Sequence, residues 1–163
     1  MTYKKSIWAI CILASTSPIT QLQAAENIDQ LREQGVVLIR SGQVEQGLQQ
    51  LRALLNQQPQ NQKLIADYIF SAHAHHKLAL TDLDYLQHVQ VQNFPDYAWL
   101  SVVKGLRDFK QFAAAAQWAE KFYQHSQQPQ WFVWQGVANA EAGQFAQAKQ
   151  KLAQVNYGQL NPD

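Results

Sequence analysis

A spacing of 34 residues brings four stretches of this chain into register, and that periodicity limits the fold more than any single residue does. Aligned from Ile28, Gln62, Asp96 and Pro129 (the last one residue early), they place like residues at like offsets. Leu31, Ile65, Trp99 and Phe132 open a first apolar face. Val44, Leu78, Phe112 and Phe145 follow a mid-unit break, and three residues later come the small Gly47, Thr81, Ala115 and Ala148. The outer two units share a glycine pair, Gly35 with Gly42 and Gly136 with Gly143. Units of this length cannot bury an apolar face alone, so they stack.

The pattern resembles the tetratricopeptide repeat, a helix–turn–helix unit of this period. The expected fold is therefore all-α, a tetratricopeptide-like helical-hairpin solenoid of about four repeats. The alternative is a loose helical bundle without regular stacking. Apolar residues at helical spacing predict helices over Asn27–Arg40, from Val44 through Leu55, over Lys63–His75, over Asp82–Val91, from a cap at Asp96, over Ala113–Tyr123, and a final pair after Pro129. Gln58-Pro59 should end the second, because a residue preceding proline is pushed out of the α region. Small residues let two helix axes approach closely, so Gly35 and Gly136 should face Gly47, Ala115 and Ala148, with Ile69 and Val103 in the glycine's place in the middle units.

Residues 1–25 read as a secretory signal, leaving 26–163 as the repeat domain. Lys4-Lys5 give a positive start, Ile7–Ala14 an apolar core too short to span a bilayer, and Ala24-Ala25 small residues for cleavage. A buried first helix is the competing reading. The only cysteine, Cys11, lies in that core, so the processed chain has no disulfide. Lys4 and Lys5 are two of 13 basic residues, and without them 11 remain against 12 acidic ones. With charged residues at only 15%, no basic stripe is left for nucleic acid. Nothing else is apolar enough for a transmembrane segment.

Catalytic chemistry finds no foothold. Asp82 and Asp84 are two apart and fall on different helix faces. Ser71, Ser101 and Ser126 lack a flanking glycine elbow, and the glycines form no phosphate loop. His73 and His76 share a helix face but have no carboxylate or cysteine at metal-ligand spacing, so they read better as polar groups at a helix end. No enzyme activity, cofactor or metal is expected. The first helices should line the inner face of the stack. Projected from the packing positions, that face carries Arg32, Phe70, His73, Tyr97, Lys104, Arg107 and Trp134 as the candidate binding residues, with Asp29, Val36 and Lys63 beside them. Trp131 and Trp134 cannot both lie with Phe132 on the buried side of one helix, so one of them should face outward.

Ile65-Ala66-Asp67-Tyr68, Phe94-Pro95-Asp96-Tyr97-Ala98, Gly105–Phe112, Ala119–Phe122 and Gln135–Gly143 with Phe145 carry a second likeness. Across most of residues 28–155 the chain resembles the periplasmic N-terminal region of PgaA-type outer-membrane exporters of poly-β-1,6-N-acetylglucosamine. The resemblance implies a periplasmic location, associated with the outer membrane if the chain continues into a barrel. It also implies docking of a deacetylase partner and guidance of the polymer to a pore. No binding residue is carried over from that family. A general periplasmic assembly adaptor, which holds a protein partner and never touches sugar, is the other function the residues allow.

Overall fold

A computed structural model describes residues 18–156 and 158, with side chains from residue 27 onward. Residues 1–17, which hold most of the expected leader, and Cys11 with it, lie outside the described residues; Ala24 and Ala25 fall within the first helix.

Among the described residues seven α-helices follow one another: α1 (Pro18–Arg40), α2 (Val44–Gln57), α3 (Gln62–Ala74), α4 (Trp99–Asp108), α5 (Phe112–Ser126), α6 (Gln130–Glu141) and α7 (Phe145–Leu152). The described residues contain no strand. Each helix packs on its chain neighbour, α1 on α2, α4 on α5 and α6 on α7, and successive hairpins pack through α2 with α3, α3 with α4 and α5 with α6. The fold is all-α, built of four stacked hairpins.

The 34-residue register is visible in the backbone even where the sequence loses it. The turn inside each hairpin has one residue in the left-handed region: Gly42 (φ 88°), His76 (55°), Lys110 (59°) and Gly143 (75°). These are the same position of the four units. In each the next residue's N–H reaches back five residues: Gln43 to Leu38 (2.9 Å), Lys77 to Ala72 (2.7 Å), Gln111 to Leu106 (2.8 Å) and Gln144 to Asn139 (2.8 Å). This closes the helix end with orphan carbonyls satisfied. His76 and Lys110 adopt a conformation that glycine takes without strain.

Close approach governs the packing. A Cβ on Gly47 would lie 2.5 Å from the Gly35 carbonyl oxygen and 2.5 Å from Ile39 Cγ1, so α1 and α2 touch backbone to backbone there. Gly136 faces Leu152, one turn beyond the expected Ala148; a Cβ there would stand 2.6 Å from the Leu152 side chain. Ala115 and Ala148 are buried, as are Ile69 and Val103.

Three expectations are corrected. The segment expected as a helix over Asp82–Val91 is a 3₁₀ helix, Leu80–His88, followed by a short 3₁₀ turn at Val91–Asn93. Its leucines recur every three residues, Leu80, Leu83 and Leu86, and three per turn is the 3₁₀ period. Leu83 and Leu86 thereby reach the core, while Thr81, in the small-residue position, stays exposed. Asp96 does not cap α4: it sits in a 3₁₀ turn, Asp96–Ala98, that runs directly into the helix, which has no side-chain cap. A side-chain cap is seen at α3, where Asn61 accepts from the Leu64 N–H at 3.3 Å. Phe145, expected to pack like its counterparts, is 72% exposed, and Phe112 is only half-buried.

Candidate functional site

Two hollows open along the first helices, which with the turns leading into them supply every lining residue except His75, the residue after α3. The first, about 610 Å³, lies between α1 and α3. Arg32, Val36 and Arg40 line it from α1, one turn apart, and Asp67, Phe70 and Ala74 from α3 at the same helical spacing. The second, about 530 Å³, lies between α4 and α6, with Leu100 and Lys104 on one side and Trp131 and Trp134 on the other. Tyr97 lines both, and at 46% exposure its ring forms the boundary between them.

Tyr97 is held by a carboxylate. Its hydroxyl donates to one oxygen of Asp67, and Arg32 donates to the other. One acid of α3 thus ties together three successive hairpins. Arg32 also donates to Asp29 at 3.3 Å and to Glu33. Burial alone would lower the Arg32 pKa, but the Asp67 hydrogen bond and charge, joined by Asp29 and Glu33, outweigh it and raise it above the ordinary value. Burial and then the Asp67 hydrogen bond raise the Tyr97 pKa, so its hydroxyl remains a donor. Phe70 meets Tyr97 edge to face, with centroids 5.6 Å apart.

At the far side of the second hollow, Lys104 and Arg107 stand over the Trp134 ring, 5.5 and 5.3 Å from its centroid. Arg107 forms a two-pronged pair with Glu141, both bonds 2.6 Å. That pairing raises the Arg107 pKa and lowers that of Glu141. Trp134, the less buried of the two tryptophans, is half-buried and packs in part against the core, whereas Trp131 and Phe132 are buried.

Six of the seven candidate residues therefore come together. Arg32, Phe70 and Tyr97 belong to the first hollow, Tyr97, Lys104 and Trp134 to the second, and Arg107 stacks on Trp134. His73 lines neither; its Nε2 lies 3.3 Å from Asp108, linking α3 to α4. Val36 lines the first hollow and Asp29 pairs with Arg32, whereas Lys63 joins neither hollow. Sequence reasoning missed Asp67, the centre of the arrangement, although it precedes Phe70 by three residues and so shares its face. It also missed Glu141, which follows Arg107 by one repeat length.

The Asp67 carboxylate and the Tyr97 hydroxyl are engaged with each other. Among the described residues no group of three or more His, Cys, Asp and Glu side chains could hold a metal ion, and no helix is long and apolar enough to cross a membrane. No family model, curated protein or solved structure matches the chain.

Proposed function

We propose that this chain is a binding module that holds a segment of a protein partner along the face of its first helices. The observation that carries this reading is the pair of hollows joined at Tyr97, an aromatic ring fixed by Asp67 yet open on its flank. Aromatic anchors set in preformed pockets dominate the affinity of protein interfaces, while exposed ion pairs add about 0–1 kcal/mol each. A groove already held open by internal bonds also loses less entropy on binding. Binding, not catalysis, is the proposed role.

The setting we propose rests on the leader-like N-terminus and the exporter resemblance. It is a periplasmic tetratricopeptide-type module in an export system for poly-β-1,6-N-acetylglucosamine, which docks the deacetylase and helps guide the polymer towards an outer-membrane pore. A general periplasmic assembly adaptor is the second reading. One observation favours it: Arg40 and Lys104 line the hollows without a carboxylate partner among the described residues, and cations there repel a polymer that carries free amines.

Titration of the purified domain with the deacetylase and, separately, with partly deacetylated polymer fragments tests the reading. Tyr97→Ala and Trp134→Ala should each weaken deacetylase binding by about tenfold or more while circular dichroism stays unchanged. Unaltered affinity in folded variants would remove the site from this face. Binding of neither ligand by the parent protein would favour the adaptor, with another client.

A further inference from the structure

The charged groups around the two hollows divide by whether they already have a partner of opposite charge. Arg32 is taken by Asp67, Asp29 and Glu33, and Arg107 by Glu141. Arg40 and Lys104, the other permanent cations lining the hollows, have no ion pair among the described residues. Their positions are related. Hairpins with short turns reverse the chain at each helix, so the first helices run the same way. Arg40 is the last residue of α1 and Lys104 lies one turn from the end of α4. His75, which lines the first hollow, follows the end of α3. Arg40 and Lys104, the two lining cations without a carboxylate partner among the described residues, thus share one edge of the groove. The acid lining it without an ion pair among the described residues, Asp96, sits in the 3₁₀ turn before α4, eight residues and so roughly 12–14 Å from Lys104 along the chain axis. Basic groups favour helix C-termini on dipole grounds alone. That explains their end of the helix, but not their lack of carboxylate partners at the rims of two apolar-floored hollows.

We infer that the groove takes an extended peptide whose acidic side chains run along the Arg40–Lys104 edge and whose alternate, apolar side chains enter the hollows. An extended chain sends successive side chains to opposite sides, which suits a groove charged on one edge and floored by Val36, Phe70, Leu100 and Trp134. The inference rests on the binding role proposed above and names the chemistry of its partner. Steering by such an edge also predicts binding that weakens with salt.

The test is fluorescence anisotropy with the intact domain and two short labelled peptides, one alternating Glu with Val and Phe, the other with Lys in place of Glu. The Glu peptide should bind at least about tenfold more tightly, and Arg40→Glu with Lys104→Glu should reverse that order. The single variants Arg40→Gln and Lys104→Gln, at groups with no ion pair to lose, should each reduce the preference if the double variant does not fold. Equal binding of the two peptides would overturn the charge assignment and leave the groove intact. Failure of both peptides while the deacetylase still binds through Tyr97 would overturn the peptide assignment alone. Failure of every probe would overturn the binding role as well. Tighter binding of a cationic glucosamine oligomer than of the Glu peptide would contradict the inference outright.

Discussion

Asp67 and Tyr68 are neighbours on α3, and each anchors a network of one arginine, one tyrosine and one carboxylate on opposite sides of that helix. On the second-helix side, Arg52 of α2 donates to Asp82 at 2.9 Å and to the Tyr68 hydroxyl, and Asp82 accepts the Ala79 N–H at 2.9 Å. Asp82 is 5% exposed and Tyr68 1%, and the half-exposed Arg52 side chain closes over them from outside. On the first-helix side, Arg32 and Tyr97 converge on Asp67, and Tyr97 keeps nearly half its surface open beside two hollows. The same chemistry serves two ends. The closed network fixes the start of a 3₁₀ segment; the open one holds an aromatic ring at a surface where something else can touch it.

Breaking the closed network should cost more stability. Asp82→Ala leaves the Ala79 N–H and one arm of Arg52 without their acceptor, for an expected loss of about 2–3 kcal/mol in urea unfolding, and affinity for a groove ligand should not change. Asp67→Ala should cost less, about 1–2 kcal/mol, since Arg32, although only 12% exposed like Asp67, keeps Asp29 and Glu33 as partners and the Tyr97 hydroxyl can turn to water. It should weaken ligand binding instead, by freeing Tyr97. If the two variants exchange these phenotypes, the roles assigned to the two sides of α3 are reversed.

Alkaline pH sharpens the comparison by a smaller amount. Burial, with the charge of Asp82 for Tyr68 and the hydrogen bond to Asp67 for Tyr97, raises both hydroxyl pKa values above the ordinary 10.0. A raised folded-state pKa stabilises fully below the unfolded value and is lost as pH rises through the folded one. Unfolding midpoints should therefore hold up to pH 10 and fall above it. Tyr68→Phe and Tyr97→Phe should each flatten that fall; a profile identical to the parent's in both would show that neither hydroxyl is held as described. At the acid end the effect is smaller still. Pairing with Lys151 and with Arg107 lowers the pKa values of Glu120 and Glu141, so their stabilisation is present above the usual carboxylate pKa of 4.5 and lost as pH falls through the lowered ones.

The repeat was legible because stacking demands it: a packing position that fails in one unit exposes two hairpins at once. It stayed legible at the turns only in part, since His76 and Lys110 accept a left-handed conformation that their side chains do not advertise. The groove residues were reached by projecting each first helix away from its packing face, which works for Arg32, Tyr97, Lys104 and Trp134. His73 failed because its partner, Asp108, lies on a neighbouring helix that no single-helix projection includes. Asp67 was missed for a related reason: its importance comes from Arg32 and Tyr97, 35 and 30 residues away. The 3₁₀ segment was misread because leucines three apart fit an α-helical stripe about as well as a 3₁₀ one. Phe145 follows the repeat in sequence but remains exposed, and the structure gives no packing reason for the aromatic residue there.

Chemical-shift mapping of the labelled domain during titration with the proposed deacetylase partner tests the central claim most directly, because it reads both sides of α3 in one experiment. The account predicts that the amides around Tyr97 and Lys104 and the Trp134 indole N–H move together, while amides of α2 and α5 around Arg52 and Gln117 stay in place. Shifts confined to α2 and α5, or none at saturating partner, would contradict it.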